Sequence, residues 1–173
     1  MPSGPVEPML GPMLISQSTR FSELQSRLHG QVLIDTDEAW DSARQTFNVL
    51  VDQRPAAVVR VANADDVAET IRYAAQRGLR VAPQGTGHNA GPIDGLEDAL
   101  LLRTDALQGV EIDVTARRAR VGAGVRWGAV ADRASEAGLA PLSGSSRTVG
   151  VAGYSLGAAL GGSGASTGFR PTR

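Results

Sequence analysis

From position 57 onward the apolar residues fall into short runs separated by turn formers, and this order predicts alternating strands and helices. Val58-Val59-Arg60-Val61 is a short apolar run of strand type. Asn63 then stands as a helix N-cap before a helix over 65–76, with Asp65, Asp66 and Glu69 near the positive end of its dipole. Arg77 falls in the last turn, and Gly78 suits the left-handed position that closes a helix. Val67, Ala68, Ile71, Ala74 and Ala75 share the apolar face of this helix. A strand over 79–83 follows at once and completes a β-α-β unit.

A glycine-rich loop occupies 85–95, and a strand is expected over 100–103. A hairpin follows, with arms at 110–113 and 118–121 turned by 114–117. A helix over 127–136 stops at Gly138. Upstream, a helix over 21–28, a loop through His29 and Gly30, and a helical piece over 38–44 form a helical preamble that extends to 55. Residues 1–20 carry Pro2, Pro5, Pro8 and Pro12 and are expected to be a disordered leader. The stretch 142–168 is dominated by Gly, Ser and Ala. The cofactor-binding body is expected to run from 56 to 160.

Composition narrows the possible functions. The chain has 173 residues, room for one domain with its own core. Its net charge of −1 provides no field for gathering nucleic acid, and no apolar run approaches the roughly 18–20 residues of a bilayer span. Neither a nucleic-acid partner nor a membrane is expected. There is no cysteine, which excludes disulfides and thiolate metal sites and fits a cytoplasmic protein. No metal site is expected. Redox chemistry in such a chain has to use a bound cofactor.

The glycines supply the chemical clue. Most of the 21 lie from Gly85 onward, grouped in loops after strands. Glycine admits positive φ and lets consecutive N–H groups approach a ligand, forming concave anion sites that suit a diphosphate. Any one such loop could be only a set of tight turns, which leaves open a non-catalytic interaction module. A nicotinamide dinucleotide site is the other alternative. Gly85-Thr86-Gly87-His88-Asn89-Ala90-Gly91 follows a strand and Asp105 ends the next one, but 92–98 contains Pro92 and Gly95 and is too short for the helix that such a site requires. Gly122-Ala123-Gly124 does open a helix, yet no acidic residue ends a strand at the required distance.

Three motifs in order carry a more specific resemblance. Pro83-Gln84-Gly85-Thr86-Gly87-His88-Asn89, then Gly122-Ala123-Gly124-Val125-Arg126-Trp127-Gly128, then Thr148-Val149-Gly150-Val151-Ala152-Gly153-Tyr154-Ser155-Leu156-Gly157 resemble the FAD-binding domain (PCMH type) of the vanillyl-alcohol-oxidase superfamily. The berberine-bridge-enzyme-like branch of FAD-linked oxidases is the nearest. The resemblance implies an α+β fold in which a β-α-β subdomain adjoins a second, antiparallel-rich α+β subdomain that is incomplete here. It implies that Gln84, Gly85, Thr86, Gly87, His88 and Asn89 wrap the FAD diphosphate, and that Ser143, Gly144, Thr148, Gly150, Val151 and Gly153 add contacts to diphosphate and flavin. His88 matches the position that many relatives bond to the flavin 8α-methyl carbon. Ser146 stands where a doubly attached branch has cysteine, so a second bond is excluded.

The resemblance also implies the activity of the full-length family. A small-molecule substrate such as an alcohol or sugar is oxidised by hydride transfer to FAD, which is reoxidised by dioxygen or another acceptor. The chain departs from the family twice. Gln84-Gly85-Thr86-Gly87-His88 replaces the commoner Arg-Ser-Gly-Gly-His, and after Leu160 the family's Arg-Lys-Tyr-Gly-Leu type segment is missing. The tail 161–173 is expected to be aberrant, the product of a shifted reading frame. The family's catalytic base and substrate pocket lie mostly beyond this point, so no catalytic residue is assigned and the chain alone is expected to be inactive, with apolar sheet surface left uncovered. His29 and Trp127 are assigned no role.

Overall fold

A computed structural model describes residues 17–158 and 169–171. The expected leader is thereby outside the described residues up to position 16, as is most of the tail.

The main sheet has four strands in the order β1-β2-β4-β3, comprising β1 (Gln31–Leu33), β2 (Ala57–Arg60), β3 (Arg80–Gln84) and β4 (Ala99–Arg103). β2 and β3 both run parallel to β4, while β1 pairs antiparallel with β2. The expected β-α-β unit is present, but its two strands are not neighbours, because β4 inserts between them. β1 was not foreseen: a stretch read as loop between two helices instead extends the sheet.

Period-two alternation divides the sheet residues between two cores. Ala57, Val59, Leu100 and Leu102 face α1 (Gln17–Arg27) and α3 (Ala64–Arg77), where Phe21, Leu24, Tyr73 and Ala74 pack on them. Val58 and Leu101 face the other way, against Trp40 and Ala43 of the short helix α2 (Trp40–Arg44). Both faces of the central strands are therefore covered, contrary to the expectation of bare sheet. Each large side chain buried in this way contributes about 1.5–3 kcal/mol. The apolar residues that do stay exposed include Phe47, Val49 and Leu50, in the segment leading to β2.

Helix α3 is capped as its sequence implies: the Asn63 side chain accepts from the Asp66 N–H at 2.9 Å, and Gly78 closes the helix at φ 65°. Its buried face differs from the expected one. Ile71 and Ala75 point outward, while Asp66, Thr70 and Tyr73 point in. The reason is polar. The Asp66 carboxylate, 1% exposed, accepts backbone N–H groups from His29 (2.9 Å), Gly30 (2.9 Å) and Ala62 (2.8 Å), which fixes the rotation of the helix and ties the N-terminal segment to the sheet. The Tyr73 hydroxyl adds a 2.6 Å bond to the Arg20 carbonyl.

A second, smaller layer holds β5 (Val110–Asp113) and β6 (Arg118–Val121), an antiparallel hairpin on the arms expected from sequence. Helix α4 (Trp127–Glu136) has the expected bounds, and Val125, Trp127 and Val130 form a core with partly buried Val110, Val121, Val149, Val151 and Tyr154. Trp127 is thus a core residue. β7 (Leu139–Pro141) pairs antiparallel with β8 (Phe169–Pro171), a strand in a tail where the sequence showed no periodicity.

Asp66 generates a prediction. Asp66→Asn keeps the shape but offers one acceptor oxygen to three donors, so stability should fall by about 2–4 kcal/mol, read as a lower urea midpoint. Burial by itself would raise the Asp66 pKa, but the Ala62, His29 and Gly30 amides outweigh it and hold the carboxyl below its ordinary range. The unfolded chain therefore takes up this proton first. The contribution is complete above about pH 3.9 and is lost as pH falls through the lower folded value. The wild type should lose stability more steeply in acid than Asp66→Asn, and identical midpoints and acid limbs for both would remove the role assigned to Asp66.

Candidate functional site

The glycine-rich loop begins at the carboxyl end of β3, the end at which parallel strands generally present ligands. The Thr104 amide donates to the Gln84 carbonyl at 3.1 Å and joins the ends of β3 and β4. Beyond this point the chain turns sharply. Gly87 sits at φ 70°, and a Cβ there would lie 3.1 Å from Thr46 Cβ and 3.2 Å from the Gln84 carboxamide, so both conformation and space call for glycine. The Phe47 N–H donates to the Thr86 carbonyl at 3.1 Å and braces the loop from outside. Among the described residues, the consecutive amides of Gly85 through Asn89 donate no backbone hydrogen bond. Unengaged N–H groups in a tight loop are anion-binding groups. Beneath them Gln84 Nε2 is buried without a hydrogen-bond partner.

The second segment is fixed by α4. Gly128 and Trp127 donate to the carbonyls of Arg147 (2.9 Å) and Val149 (3.0 Å), and Val151 donates to Val125 (2.9 Å). Arg147 also pairs with Asp132 at 2.7 Å. The amides of Ser143 and Gly144 have no acceptor among the described residues. The Val151 amide is engaged, and Gly153 lies exposed with open space around its Cα. Like Ser143 and Gly144, these two show no hydrogen bond to the first loop.

Thr148 and Gly150 do reach it. The Gly150 N–H donates to Thr86 Oγ1 at 3.3 Å, and Thr148 Oγ1 lies 3.5 Å from His88 Nε2. His88 Nδ1 is 2.8 Å from Thr86 Oγ1, and its ring stacks on Phe47 with centroids 3.8 Å apart and planes 14° apart. Burial first, and the Arg126 charge second, push the His88 pKa down, so the imidazole is neutral at pH 7. Phe47 and Arg126 were not anticipated. Phe47 is an aromatic residue in the preamble before β2, a signal that carried no meaning until tertiary structure placed it over His88.

These features fit a dinucleotide. A loop with free amides, no bulky charge and a glycine whose Cβ would collide with its own support suits a diphosphate held by backbone dipoles. The nicotinamide alternative loses its elements. Gly85–Gly91 is followed by turns and then β4, with no helix between. Asp105, the acid such a site would need, is paired with Arg60 at 3.3 Å and Arg103 at 3.2 Å. Gly122 and Gly124 serve packing: a Cβ on either would fall 2.3 Å from the Leu107 carbonyl or 2.2 Å from that of Thr104. His29 is at the surface, 76% exposed, 3.5 Å from Asp66.

Comparison with known proteins agrees. The family described as FAD binding domain matches residues 55–169. The chain is 30% identical over 134 residues to (R)-6-hydroxynicotine oxidase of Paenarthrobacter nicotinovorans, covering 78% of this chain and 29% of that protein. The solved structure of Physcomitrella patens BBE-like 1 superposes with a TM-score of 0.70 at 25% identity, over 78% of this chain and 30% of its own. Acremonium strictum glucooligosaccharide oxidase, whose FAD is 6-S-cysteinyl and 8α-N1-histidyl, superposes with a TM-score of 0.62 at 27% identity, over 74% and 27%. The chain spans less than a third of each of these proteins. The described helices include none long and apolar enough to cross a membrane.

The loop geometry can be tested without any ligand. Gly87→Ala forces a Cβ into the left-handed region and against Thr46, and should cost about 1–2 kcal/mol in thermal unfolding. Gly91→Ala, which has no positive φ and only Val51 Cγ2 at 4.0 Å, is the control and should melt like wild type. Equal melting of the two variants would contradict the geometry at Gly87.

Proposed function

The chain belongs to the FAD binding domain family of the vanillyl-alcohol-oxidase type, and from that premise we propose how its residues hold the cofactor. The amides of Gly85 through Asn89 take the FAD diphosphate, with Gln84 beneath them, and Ser143, Gly144, Thr148 and Gly150 close over it from the second segment. Val151 and Gly153 shape the backbone that follows. His88 meets the flavin ring and is the residue of covalent attachment, while Ser146 leaves no thiol for a second bond. The binding body is 56–160, braced by Phe47 from the preceding segment. One observation carries this reading: the first loop, whose amides make no backbone hydrogen bond, is joined to a second glycine-rich segment through Thr86 and Gly150.

The chemistry proposed for the whole protein is oxidation of a small molecule at a hydroxyl-bearing carbon, of alcohol or sugar type. FAD when bound supplies the two-electron acceptor. This reading is supported by the relatives, named as oxidases of a hydroxynicotine and of glucooligosaccharides. The described residues contribute cofactor binding and no catalytic base, so the chain by itself is proposed not to turn over substrate.

FAD at 100 times its Kd should stabilise the chain by about 2.7 kcal/mol, seen as a rise in melting temperature together with a perturbed flavin spectrum. NAD should do neither. Gly87→Ala should weaken FAD binding at least tenfold, or about 1.4 kcal/mol. After acid precipitation of the FAD-loaded chain, flavin fluorescence should stay with the polypeptide, and His88→Ala should release it. Stabilisation by NAD alone would transfer the site to a nicotinamide cofactor, and no response to either would leave the glycine loops as turns.

A further inference from the structure

His88 is held more closely than a cofactor contact requires, and its neighbours form a continuous chain across both loops. Thr86 Oγ1 receives the Gly150 N–H at 3.3 Å and touches His88 Nδ1 at 2.8 Å. On the far side of the ring, Nε2 lies 3.5 Å from Thr148 Oγ1, which in turn is 3.0 Å from Ser146 Oγ. Phe47 covers one ring face. The motif's commoner form has glycine at the position of Thr86, so this hydroxyl is a feature of this chain.

A threonine hydroxyl has one proton to donate and two lone pairs. The Gly150 N–H occupies one lone pair, and among the described residues the Thr86 proton has one acceptor within reach, His88 Nδ1. If Nδ1 carried the hydrogen instead, Thr86 would receive two donors and its own proton would lack a protein partner in a half-buried place, which is unfavourable. The balance therefore favours Thr86 O–H donating to Nδ1. The imidazole hydrogen then sits on Nε2, directed at Thr148.

We propose that Thr86, Thr148 and Phe47 are positioning residues that lock His88 in the Nε2–H tautomer and a single ring plane. Thr86 caps Nδ1, Phe47 sets the plane, and Thr148 receives the Nε2–H. The ring nitrogen that keeps its in-plane lone pair is therefore Nδ1, held by the Thr86 hydroxyl. This rests on the reading of His88 as the flavin contact, and it specifies which ring nitrogen keeps the lone pair that bonding to the flavin requires.

The chain contains only two histidines, so nitrogen-15 correlation spectra of the labelled full chain resolve both, with exposed His29 as internal reference. His88 should be in the Nε2–H form at pH 7, with its carbon-bound protons shifted upfield by the Phe47 ring. Thr86→Val should raise the Nδ1–H population several-fold and Thr86→Ser should restore the wild-type ratio, with the His29 signals unmoved as evidence that the fold survives. Thr148→Val should shift the Nε2 resonance without changing the tautomer. Phe47→Leu should abolish the upfield shift, and Phe47→Tyr should retain it. An Nδ1–H form in the wild type, or a ratio that ignores Thr86→Val, overturns the proposal. FAD added to the same sample should move the His88 signals and leave His29 in place. A locked tautomer with no response to FAD would refute the flavin reading alone, while FAD binding to a chain with no tautomer preference would refute only the positioning role.

Discussion

The Thr86 hydroxyl receives the Gly150 amide across 64 positions of sequence, and on this contact the candidate site depends. Each glycine-rich segment alone is a set of turns with free amides. Brought together, they place His88 and Thr86 of the first loop against Thr148 and Gly150 of the second. The hydroxyl can do this because it is both donor and acceptor. A glycine at the same position would leave the Gly150 amide and His88 Nδ1 without this common partner.

The remainder of the fold keeps that contact in place. β3 and β4 end level with each other because Thr104 continues their pairing onto the Gln84 carbonyl, and the first loop departs from this fixed end. The second segment is fixed independently, by carbonyls of Arg147 and Val149 accepting from the first turn of α4. Those bonds also satisfy amides that every helix start leaves open. The hairpin and the Gly122–Gly124 approach press the second layer against the 104–108 turn, so the distance between the two loops is set by backbone contact.

Asp66 and Phe47 show how the N-terminal segment takes part. Asp66 gathers the His29 and Gly30 amides just before β1 and the Ala62 amide just after β2, and so ties the start of β1 to the end of β2. Arg103, bonded to the carbonyls of Ala43 and Gln45, holds the chain just before Phe47 near the end of β4. A stretch that reads as preamble is in this way continuous with the site, and its exposed Phe47 lies against His88. Backbone amides in place of Lys or Arg also have a physical consequence: they stabilise an anion without a mobile charge that must be ordered on binding.

Much of the local structure was legible from sequence. Asn63 and Gly78 marked the ends of α3 because capping is decided within a few residues, and the hairpin arms and α4 followed from period-two alternation and a closing glycine. The clustering of glycines pointed to a diphosphate, and it was the resemblance of three ordered motifs, at 83–89, 122–128 and 148–157, that placed the chain among flavin-binding proteins. Three-dimensional structure decided what depends on distant partners. β1 was invisible because three residues carry too little periodicity, β4 entered between β2 and β3 because its Leu100, Leu101 and Leu102 are buried on both faces, and α3 turned Asp66 inward because amides from outside the helix awaited it. Phe47 over His88 and the Thr86–Gly150 bond belong to the same class. Sequence by itself determined where the backbone could bend and offer its amides, since that is a property of single residues and their neighbours; only the tertiary structure decided which bends face each other, because that distance is set by the packing of two layers no local pattern encodes.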